Sequence, residues 1–118
     1  MGATVGGTLA GIEKRPDAYV LMAGYPSLTH AMRHNSDPGA IAFQAPLDAL
    51  HYVGRATPAK LLFQFAKRDE FITPWDAAAY LQTASGPKEL KWYDTDHSLN
   101  EEARRDRVEW LGRVLSPP

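Results

Sequence analysis

Three short apolar runs along the chain predict the strands of a small sheet. They cover residues 18–24, 59–66 and 89–94. The first two are nearly continuous in apolar residues, which is typical of strands covered on both faces. The third is shorter and alternates between apolar and polar positions, as an outer strand does. Separated by helical segments, these runs predict an α/β fold with about three parallel strands flanked by helices.

The segment between the second and third runs predicts a helix over residues 74–83. Thr73 supplies an N-cap side chain, Pro74 stands at the first helical position, and Gly86 with Pro87 follows the end. Proline at the start and glycine beyond the end are typical helix boundaries. The helix completes a strand-helix-strand unit.

A second helix is predicted over residues 100–115, before the Ser-Pro-Pro sequence at 116–118. Apolar residues at helical spacing predict an inward-facing stripe on it. The stripe consists of Val108, Leu111 and Leu115, and the residues predicted to face solvent are Arg104, Arg105 and Asp106.

The first segment, residues 2–13, has a helical period but is rich in glycine. Each glycine costs about 1 kcal/mol relative to alanine inside a helix, so this segment needs a packing reason for its glycines. Small side chains allow a helix to lie close against a sheet. The glycines are Gly2, Gly6, Gly7 and Gly11.

Residues 25–57 form the least regular part of the chain. Prolines and the Asn-Ser-Asp-Pro-Gly sequence at 35–39 divide it into loops around a short helical stretch at about 46–53. We interpret it as an insertion between strands. The sequence has no repeat, low-complexity tract or linker, so the prediction is a single domain over residues 1–118.

Composition narrows the class of protein. The 118 residues are 44% hydrophobic and 23% charged, with 13 basic and 14 acidic residues and a formal net charge of −1. This balance leaves no field that attracts nucleic acid or anionic lipid. No apolar run approaches the roughly 20 residues that span a bilayer, no signal peptide is recognisable, and the absence of cysteine fits a reducing compartment. We expect a cytoplasmic protein that binds neither nucleic acid nor membranes.

Three segments resemble the α/β-hydrolase family, and the dienelactone-hydrolase-like esterase branch is the most similar. Gly2-Ala3 followed by Gly6-Gly7 resembles the exit of the family's nucleophile elbow. Residues 65–72 resemble the strand end and turn that carry the acid, and residues 96–99 resemble the histidine loop. Their order along the chain is the family's order of nucleophile, acid and histidine. The resemblance implies the C-terminal half of the fold, starting just after the nucleophile serine.

The resemblance assigns catalytic roles to Asp69 and His97. An imidazole can take the proton of a serine hydroxyl, and a carboxylate on its other ring nitrogen fixes the tautomer and stabilises the imidazolium. Both residues would lie at the carboxyl ends of neighbouring parallel strands, where open α/β sheets place their sites. Taken alone, Asp69 is also explained as a turn residue after a strand, and His97 as a surface-loop histidine.

The resemblance also implies an oxyanion hole at Met1 and a substrate pocket at Tyr25. In the family, the residue after the serine donates a backbone N–H to the oxyanion, and Met1 stands at that position. Tyr25 directly follows the first predicted strand, where the family often lines its substrate pocket. A buried packing tyrosine fits the same pattern.

No serine of the chain has the glycine-flanked setting of a nucleophile elbow. Ser98 directly follows His97, and Ser36 lies in a turn-forming sequence, so these two are the candidates for a replacement nucleophile. The remaining serines are Ser27, Ser85 and Ser116.

His30 and His34 stand four residues apart, which is a spacing of two metal ligands on one helix face. No Glu follows His30 as in the H-E-x-x-H motif, and the sequence after His34 breaks a helix. We interpret both as solvated loop histidines, and His51 as a surface or interface residue. The sequence predicts no metal site and no cofactor.

Two functions remain open. The first is a hydrolase acting on small carboxylic esters or acyl substrates. The second is a non-catalytic hydrolase fragment, stable as a homo-oligomer, in which Asp69 and His97 are remnants. In the family another strand pairs with the equivalent of residues 18–24, so its absence exposes an apolar edge that is a template for self-pairing. We expect self-association through that edge, most simply as a two-fold dimer, to complete the sheet.

Overall fold

Three parallel strands organise residues 2–34 and 37–117, the part of the chain that the computed structural model describes. The strands are β1 (Ala18–Met22), β2 (Lys60–Ala66) and β3 (Lys88–Tyr93). The helices are α1 (Gly2–Ile12), α2 (Leu28–Met32), α3 (Pro38–Gln44), α4 (Pro74–Thr83) and α5 (Glu101–Val114). Three short 3-10 turns follow α3, at Ala45–Leu47, Ala49–His51 and Val53–Arg55.

The sheet has the strand order β1-β2-β3, and both pairs are parallel. Ala18 lies beside Lys60 in the first pair, and Leu61 lies beside Lys88 in the second. Helices flank the sheet, so the prediction of an α/β fold with about three parallel strands is confirmed. The observed strands differ by one or two residues from the predicted runs at their ends.

β2 lies in the middle of the sheet and divides its side chains between two faces. Phe63 and Phe65 belong to the main hydrophobic core together with Tyr80 of α4. Gln64 points to the opposite face, where its amide donates a hydrogen bond to the Ala103 carbonyl of α5 at 2.9 Å. Alternation along the strand therefore packs α4 against one face and α5 against the other.

α4 spans the predicted residues 74–83. The Thr73 hydroxyl accepts a hydrogen bond from the Asp76 backbone N–H at 3.2 Å, and the Asp76 carboxylate accepts one from the Thr73 N–H at 2.8 Å. This reciprocal pattern is a capping box, which satisfies two N–H groups at the start of the helix. The predicted N-cap at Thr73 is confirmed.

The predicted faces of α5 are wrong in part. Leu111 of the inward stripe is half-buried, but so is Asp106, which was predicted to face solvent and accepts a hydrogen bond from the Tyr93 hydroxyl. Val108 is 60% exposed and Leu115 is 52% exposed, whereas Ala103 and Trp110 are buried. The helix is turned so that Arg107 reaches the buried Gln64, with 3.1 Å between Arg107 Nη1 and Gln64 Oε1. The inward face of α5 therefore combines the buried Ala103 and Trp110 with a polar partner for the buried amide of Gln64, which needs one there.

Residues 25–57 contain more helix than the sequence predicts. Asp37 caps α3 by accepting hydrogen bonds from the backbone N–H groups of Gly39 and Ala40. The stretch predicted as helical at 46–53 forms 3-10 turns in place of an α-helix. No helix among residues 2–34 and 37–117 combines the length and the apolar character that crossing a bilayer requires.

Two glycines of α1 allow close packing. A Cβ on Gly7 would lie 1.8 Å from the Tyr80 hydroxyl oxygen, and one on Gly11 would lie 2.1 Å from the Tyr52 carbonyl oxygen. Both contacts are shorter than atoms tolerate. The packing reason expected for the glycines exists for these two, and it comes from α4 and the 3-10 region. Only at Gly6 does it come from the sheet, where a Cβ would lie 2.9 Å from Leu21 Cδ2, and a Cβ on Gly2 would meet nothing within 4 Å.

Candidate functional site

The carboxyl edge of the sheet gathers the predicted site residues. Because the strands are parallel, all three end at this edge. Asp69 follows the last residue of β2 by three positions, and His97 follows that of β3 by four. α1 begins at the same edge, since its Thr4 hydroxyl oxygen accepts a hydrogen bond from the Tyr25 N–H, just beyond β1, at 3.0 Å.

Asp69 and His97 are in direct contact. Asp69 Oδ2 lies 2.8 Å from His97 Nδ1. The other oxygen, Oδ1, accepts hydrogen bonds from the backbone N–H groups of Phe71 at 2.8 Å and Ile72 at 3.1 Å. The Asp69 side chain is 1% exposed and that of His97 is 42% exposed. The carboxylate is held by its own turn, and the imidazole that it contacts reaches the surface.

Backbone hydrogen bonds join the turn of Asp69 to the loop of His97. Lys67 N–H donates to the Tyr93 carbonyl at 2.8 Å, and Arg68 N–H donates to the Thr95 carbonyl at 3.1 Å. After His97 the chain turns through Leu99, whose φ of 62° lies in the left-handed region. Such a conformation costs a non-glycine residue on the order of 1 kcal/mol and persists only where the surroundings impose it.

The contact with Asp69 assigns a tautomer to His97. A carboxylate accepts hydrogen bonds, so the neutral imidazole carries its proton on Nδ1 and leaves Nε2 without one. Phe71 packs edge-on against the ring, with 5.1 Å between centroids. An unprotonated Nε2 on a half-exposed ring can take a proton from a hydroxyl or from water, which is the chemistry of a general base.

A cavity of about 240 Å³ opens near this pair, although neither Asp69 nor His97 is among its lining residues. Phe71 lines it and also contacts His97. Burial raises the pKa of Tyr25, and the carboxylates of Asp76 and Asp69 raise it further, so this hydroxyl stays protonated at neutral pH. The lining includes Tyr25, His30, Phe71, Thr73 and Asp76. The cavity therefore has an aromatic wall and a hydroxyl donor, and Phe71 connects it to the imidazole.

Sequence reasoning missed several of these lining residues. His30, expected as a solvated loop histidine, is half-buried and stacks on Trp75 with 4.0 Å between ring centroids. His34 and His51 are exposed, as expected. The sequence could have predicted the position of Asp76, because Thr-x-x-Asp before a helix is the pattern of a capping box. The stacking of His30 had no sequence signal, since it joins two segments far apart in the chain.

Of the other predicted site residues, Tyr25 is near the Asp69–His97 pair and the described serines are not bonded to it. Tyr25 lies in the cavity wall, and Met1, the predicted oxyanion residue, lies outside the described residues. Ser36 lies outside them too. Ser98 is exposed beside His97, and Ser27 is buried, donating from its hydroxyl to Asp48 at 2.6 Å. Among the described residues, no serine hydroxyl is hydrogen-bonded to His97.

Metal-ligating side chains do not cluster in the described part of the chain. Within residues 2–34 and 37–117, no group of three or more His, Asp and Glu side chains is arranged to hold a metal ion. His30 is stacked on Trp75, and His34 is exposed at the other end of the pair.

No protein-family model matches the sequence, and no curated protein matches it either. The fold is nevertheless similar to solved structures. The esterase domain of a Rhodothermus marinus protein superposes with a TM-score of 0.68 at 18% identity, covering 97% of this chain and 55% of that one. Acetyl xylan esterase from Paenibacillus sp. R4 gives 0.76 at 18% identity, covering 95% and 43%.

The enol-lactonase from Burkholderia xenovorans LB400 has a TM-score of 0.68 at 14% identity, covering 99% of this chain and 63% of that one. The chain thus spans about half the length of the solved structures that it matches, between 43% and 63% for these three. Similarity at this level of identity concerns the fold. The three parallel strands, the flanking helices and these superpositions show that the chain has an α/β-hydrolase-like fold.

Proposed function

We propose that this chain carries the acid and the base of a carboxylic-ester hydrolase. The observation that supports the proposal is the 2.8 Å contact between Asp69 Oδ2 and His97 Nδ1 at the carboxyl edge of the parallel sheet. Open α/β sheets bind their ligands at this edge. The carboxylate is buried and the imidazole is half-exposed, which is the arrangement that a general base and its orienting acid require.

In the proposed reaction, His97 Nε2 removes the proton of a hydroxyl as its oxygen attacks the ester carbonyl carbon. Asp69 stays ionised and stabilises the imidazolium that forms. When the tetrahedral intermediate collapses, the C–O bond to the alcohol breaks and the imidazolium returns the proton to the leaving oxygen. A second, water-driven cycle hydrolyses the acyl group if the attacking hydroxyl belongs to a serine.

The proposal equates α1 with the helix that follows a nucleophile elbow. Its first turn lies at the same edge as Asp69 and His97, beside Tyr25. The Met1 nitrogen is then the proposed oxyanion donor. The hydroxyl that His97 would deprotonate is that of a serine or of water, and Ser98, exposed beside His97, is the serine candidate among the described residues.

The proposed substrates are small carboxylic esters, and the proposed chemistry uses no cofactor. Two of the similar solved structures are an acetyl xylan esterase and an enol-lactonase, and both names denote hydrolysis of a carboxylic ester bond. The cavity of about 240 Å³, which Phe71 connects to His97, is large enough for a short acyl or alkyl group. Tyr25 in its wall would contact that group.

Hydrolysis of p-nitrophenyl acetate tests the proposal. We expect the chain to hydrolyse this ester faster than its His97→Ala variant, because among the described residues His97 is the histidine whose imidazole contacts a buried carboxylate. His51→Ala is the matched control, since His51 is exposed in the 3-10 region and is not among the residues that line the cavity.

The rate of His51→Ala should equal that of the wild type. Equal rates for wild type and His97→Ala would end the catalytic proposal. Where the wild type is faster, a fluorophosphonate adduct located by mass spectrometry would identify a serine nucleophile, and its absence would point to water.

The second proposal is a homo-oligomer that completes the sheet through the strand at residues 18–24. β1 stands at the end of the strand order, with β2 on one side only. Apolar side chains are exposed nearby, including Met22 at 44% and Val5 at 57%. Val5 belongs to α1, and an apolar groove of about 330 Å³ runs along this helix. An exposed strand edge with apolar surroundings is a template for pairing with a second chain.

Light scattering on a size-exclusion column tests the self-association. We expect a dimer or larger species at micromolar concentration, and dissociation in Met22→Lys, because a lysine on an edge strand opposes pairing. Val108→Lys is the control, since Val108 is also exposed but belongs to helix α5 and not to the edge strand. A wild type that stays monomeric would remove this proposal. It would leave the catalytic one intact, because Asp69 and His97 meet within a single chain.

A further inference from the structure

A closed hydrogen-bond network lies on the face of the sheet that packs against α5. Gln64 is fully buried in the middle of β2. Its amide nitrogen donates to the Tyr93 hydroxyl oxygen at 2.8 Å and to the Ala103 carbonyl at 2.9 Å. Its amide oxygen accepts from Arg107 at 3.1 Å. The Tyr93 hydroxyl in turn donates to Asp106 Oδ2 at 2.8 Å.

The network leaves little freedom to its central amide. Gln64 uses both of its N–H donors and its carbonyl oxygen, so the partners decide which way the amide is turned. Buried polar groups that are fully satisfied specify one arrangement of the elements they join. Here the joined elements are β2, the end of β3, and the first turns of α5.

The network connects the two ends of the loop that carries His97. The loop of His97 runs from residue 94, directly after Tyr93, to Asn100, the N-cap of α5. The network ties Tyr93 at the start of the loop to Asp106 and Ala103 just beyond its end. It therefore clamps together the two ends of the loop that carries the imidazole.

The backbone contacts with the acid turn hold only the first half of that loop. They reach Tyr93 and Thr95, both before His97. The half after His97 contains Leu99 in its left-handed conformation, and it continues into α5. Its place relative to Asp69 therefore depends on where α5 docks. The network is the set of contacts nearest to the loop that hold this helix, while the buried Trp110 and the hydrogen bond from Lys60 to Val114 hold its far end.

We propose that Tyr93 and Asp106, joined through Gln64 to α5, are positioning residues that hold His97 in contact with Asp69. An effect of these residues on catalysis rests on the proposed function, whereas their effect on the contact between His97 and Asp69 does not. The network acts from the face of the sheet opposite to the cavity, and none of its members lines that cavity.

The tautomer of the His97 ring reports whether the contact with Asp69 is kept. Asp69 selects the form with the proton on Nδ1, so loosening the loop releases the ring to the form with the proton on Nε2. Ring nitrogen NMR of the neutral imidazole measures the ratio of the two forms. The readout needs no substrate and is independent of the ester assay.

We expect Tyr93→Phe and Asp106→Ala to raise the Nε2–H to Nδ1–H ratio of His97 by roughly fivefold, the factor that the loss of one hydrogen bond gives. Asp106→Asn is the matched variant, because its amide oxygen still accepts from Tyr93. It should keep the wild-type ratio. Val53→Ala controls for stability, since Val53 is buried in the core on the other face.

The proposal is overturned if Tyr93→Phe and Asp106→Ala keep the wild-type ratio, or if Val53→Ala changes it as much at a similar melting temperature. A wild-type ring that already lacks the Nδ1–H form would overturn it too. If His97→Ala leaves ester hydrolysis unchanged while Tyr93→Phe still shifts the tautomer, the proposed function fails and the positioning role stands.

Discussion

At the scale of single residues, Asp69 performs two tasks with its two carboxylate oxygens. Oδ1 closes the turn after β2 by accepting two backbone hydrogen bonds, and Oδ2 meets His97. The two roles that its sequence position allows, turn residue and partner of a histidine, are therefore compatible. A carboxylate fixed by its own turn pays little additional entropy when it orients a neighbouring ring.

Sequence reasoning identified Asp69 and His97 because both follow predicted strands in the order of a known family. It could not identify Phe71 or His30, whose contacts with His97 and Trp75 join segments far apart along the chain. Met1 was assigned by position alone and lies outside the described residues. Local patterns thus locate groups at the ends of strands, while the lining of a cavity depends on tertiary packing.

Tyr93 makes a residue-scale prediction about alkaline pH. Burial raises the pKa of Tyr93 to about 12, and its hydrogen bond to Asp106 contributes to the increase. The unfolded chain would titrate this group near 10. A folded pKa above the unfolded one means that stability is complete below about pH 10 and falls as the pH rises towards 12.

The prediction is tested by chemical denaturation between pH 9 and 11.5. The free energy of unfolding should fall more steeply for wild type than for Tyr93→Phe, by on the order of 2 kcal/mol over the full titration. Burial raises the pKa of Tyr80 as well, and Tyr80 is present in both proteins, so the difference isolates Tyr93. Parallel pH profiles would show that the hydroxyl is not held as described.

At the scale of elements, the two ends of the chain were predicted with different success. The helical period and the glycines of α1 were both evident in the sequence, and two of those glycines meet other elements closely. The face of α5 was mistaken, because apolar spacing alone selected Val108 and Leu115. The inward position of Arg107 depends on Gln64 in a distant strand, which a local pattern cannot contain.

The packing of α1 predicts opposite effects for two glycine substitutions. Gly11→Ala places a Cβ 2.1 Å from the Tyr52 carbonyl oxygen, a backbone atom that cannot move aside. Overpacking of this kind should destabilise the protein by about 2 kcal/mol or more. Gly112→Ala in α5 meets nothing within 4 Å and should stabilise it by about 0.5–1 kcal/mol.

Thermal or urea unfolding of the two variants measures both effects against wild type. Because each substitution adds the same methyl group to a helix, their difference reports the space around the two positions. A destabilisation of Gly112→Ala equal to that of Gly11→Ala would contradict the close contact of α1 with Tyr52.

At the scale of the whole molecule, three apolar runs and one strand-helix-strand unit were enough to predict a parallel sheet. The preference for parallel strands with crossover helices leaves few other arrangements for such a pattern. The structure of residues 25–57 was harder to predict, because the short helices and 3-10 turns there are stabilised by contacts with α1 and by individual caps. Long-range contacts of this kind are not encoded in local periodicity.

The carboxyl edge of the sheet brings Asp69, His97 and the start of α1 together. The pair is formed within one chain, and the free edge of β1 is the place where further strands would join. The proposed hydrolase chemistry and the proposed self-association therefore use different edges of the same sheet. Each can fail without the other.

The tautomer of His97 in the wild-type protein tests the central claim most directly. Ring nitrogen NMR of the neutral imidazole distinguishes a proton on Nδ1 from one on Nε2. The account predicts the Nδ1–H form as the main species in wild type, and its loss in Asp69→Ala. A wild-type ring that is mainly protonated on Nε2, or the same tautomer ratio in both proteins, would contradict the claim that Asp69 prepares His97 to act as a base.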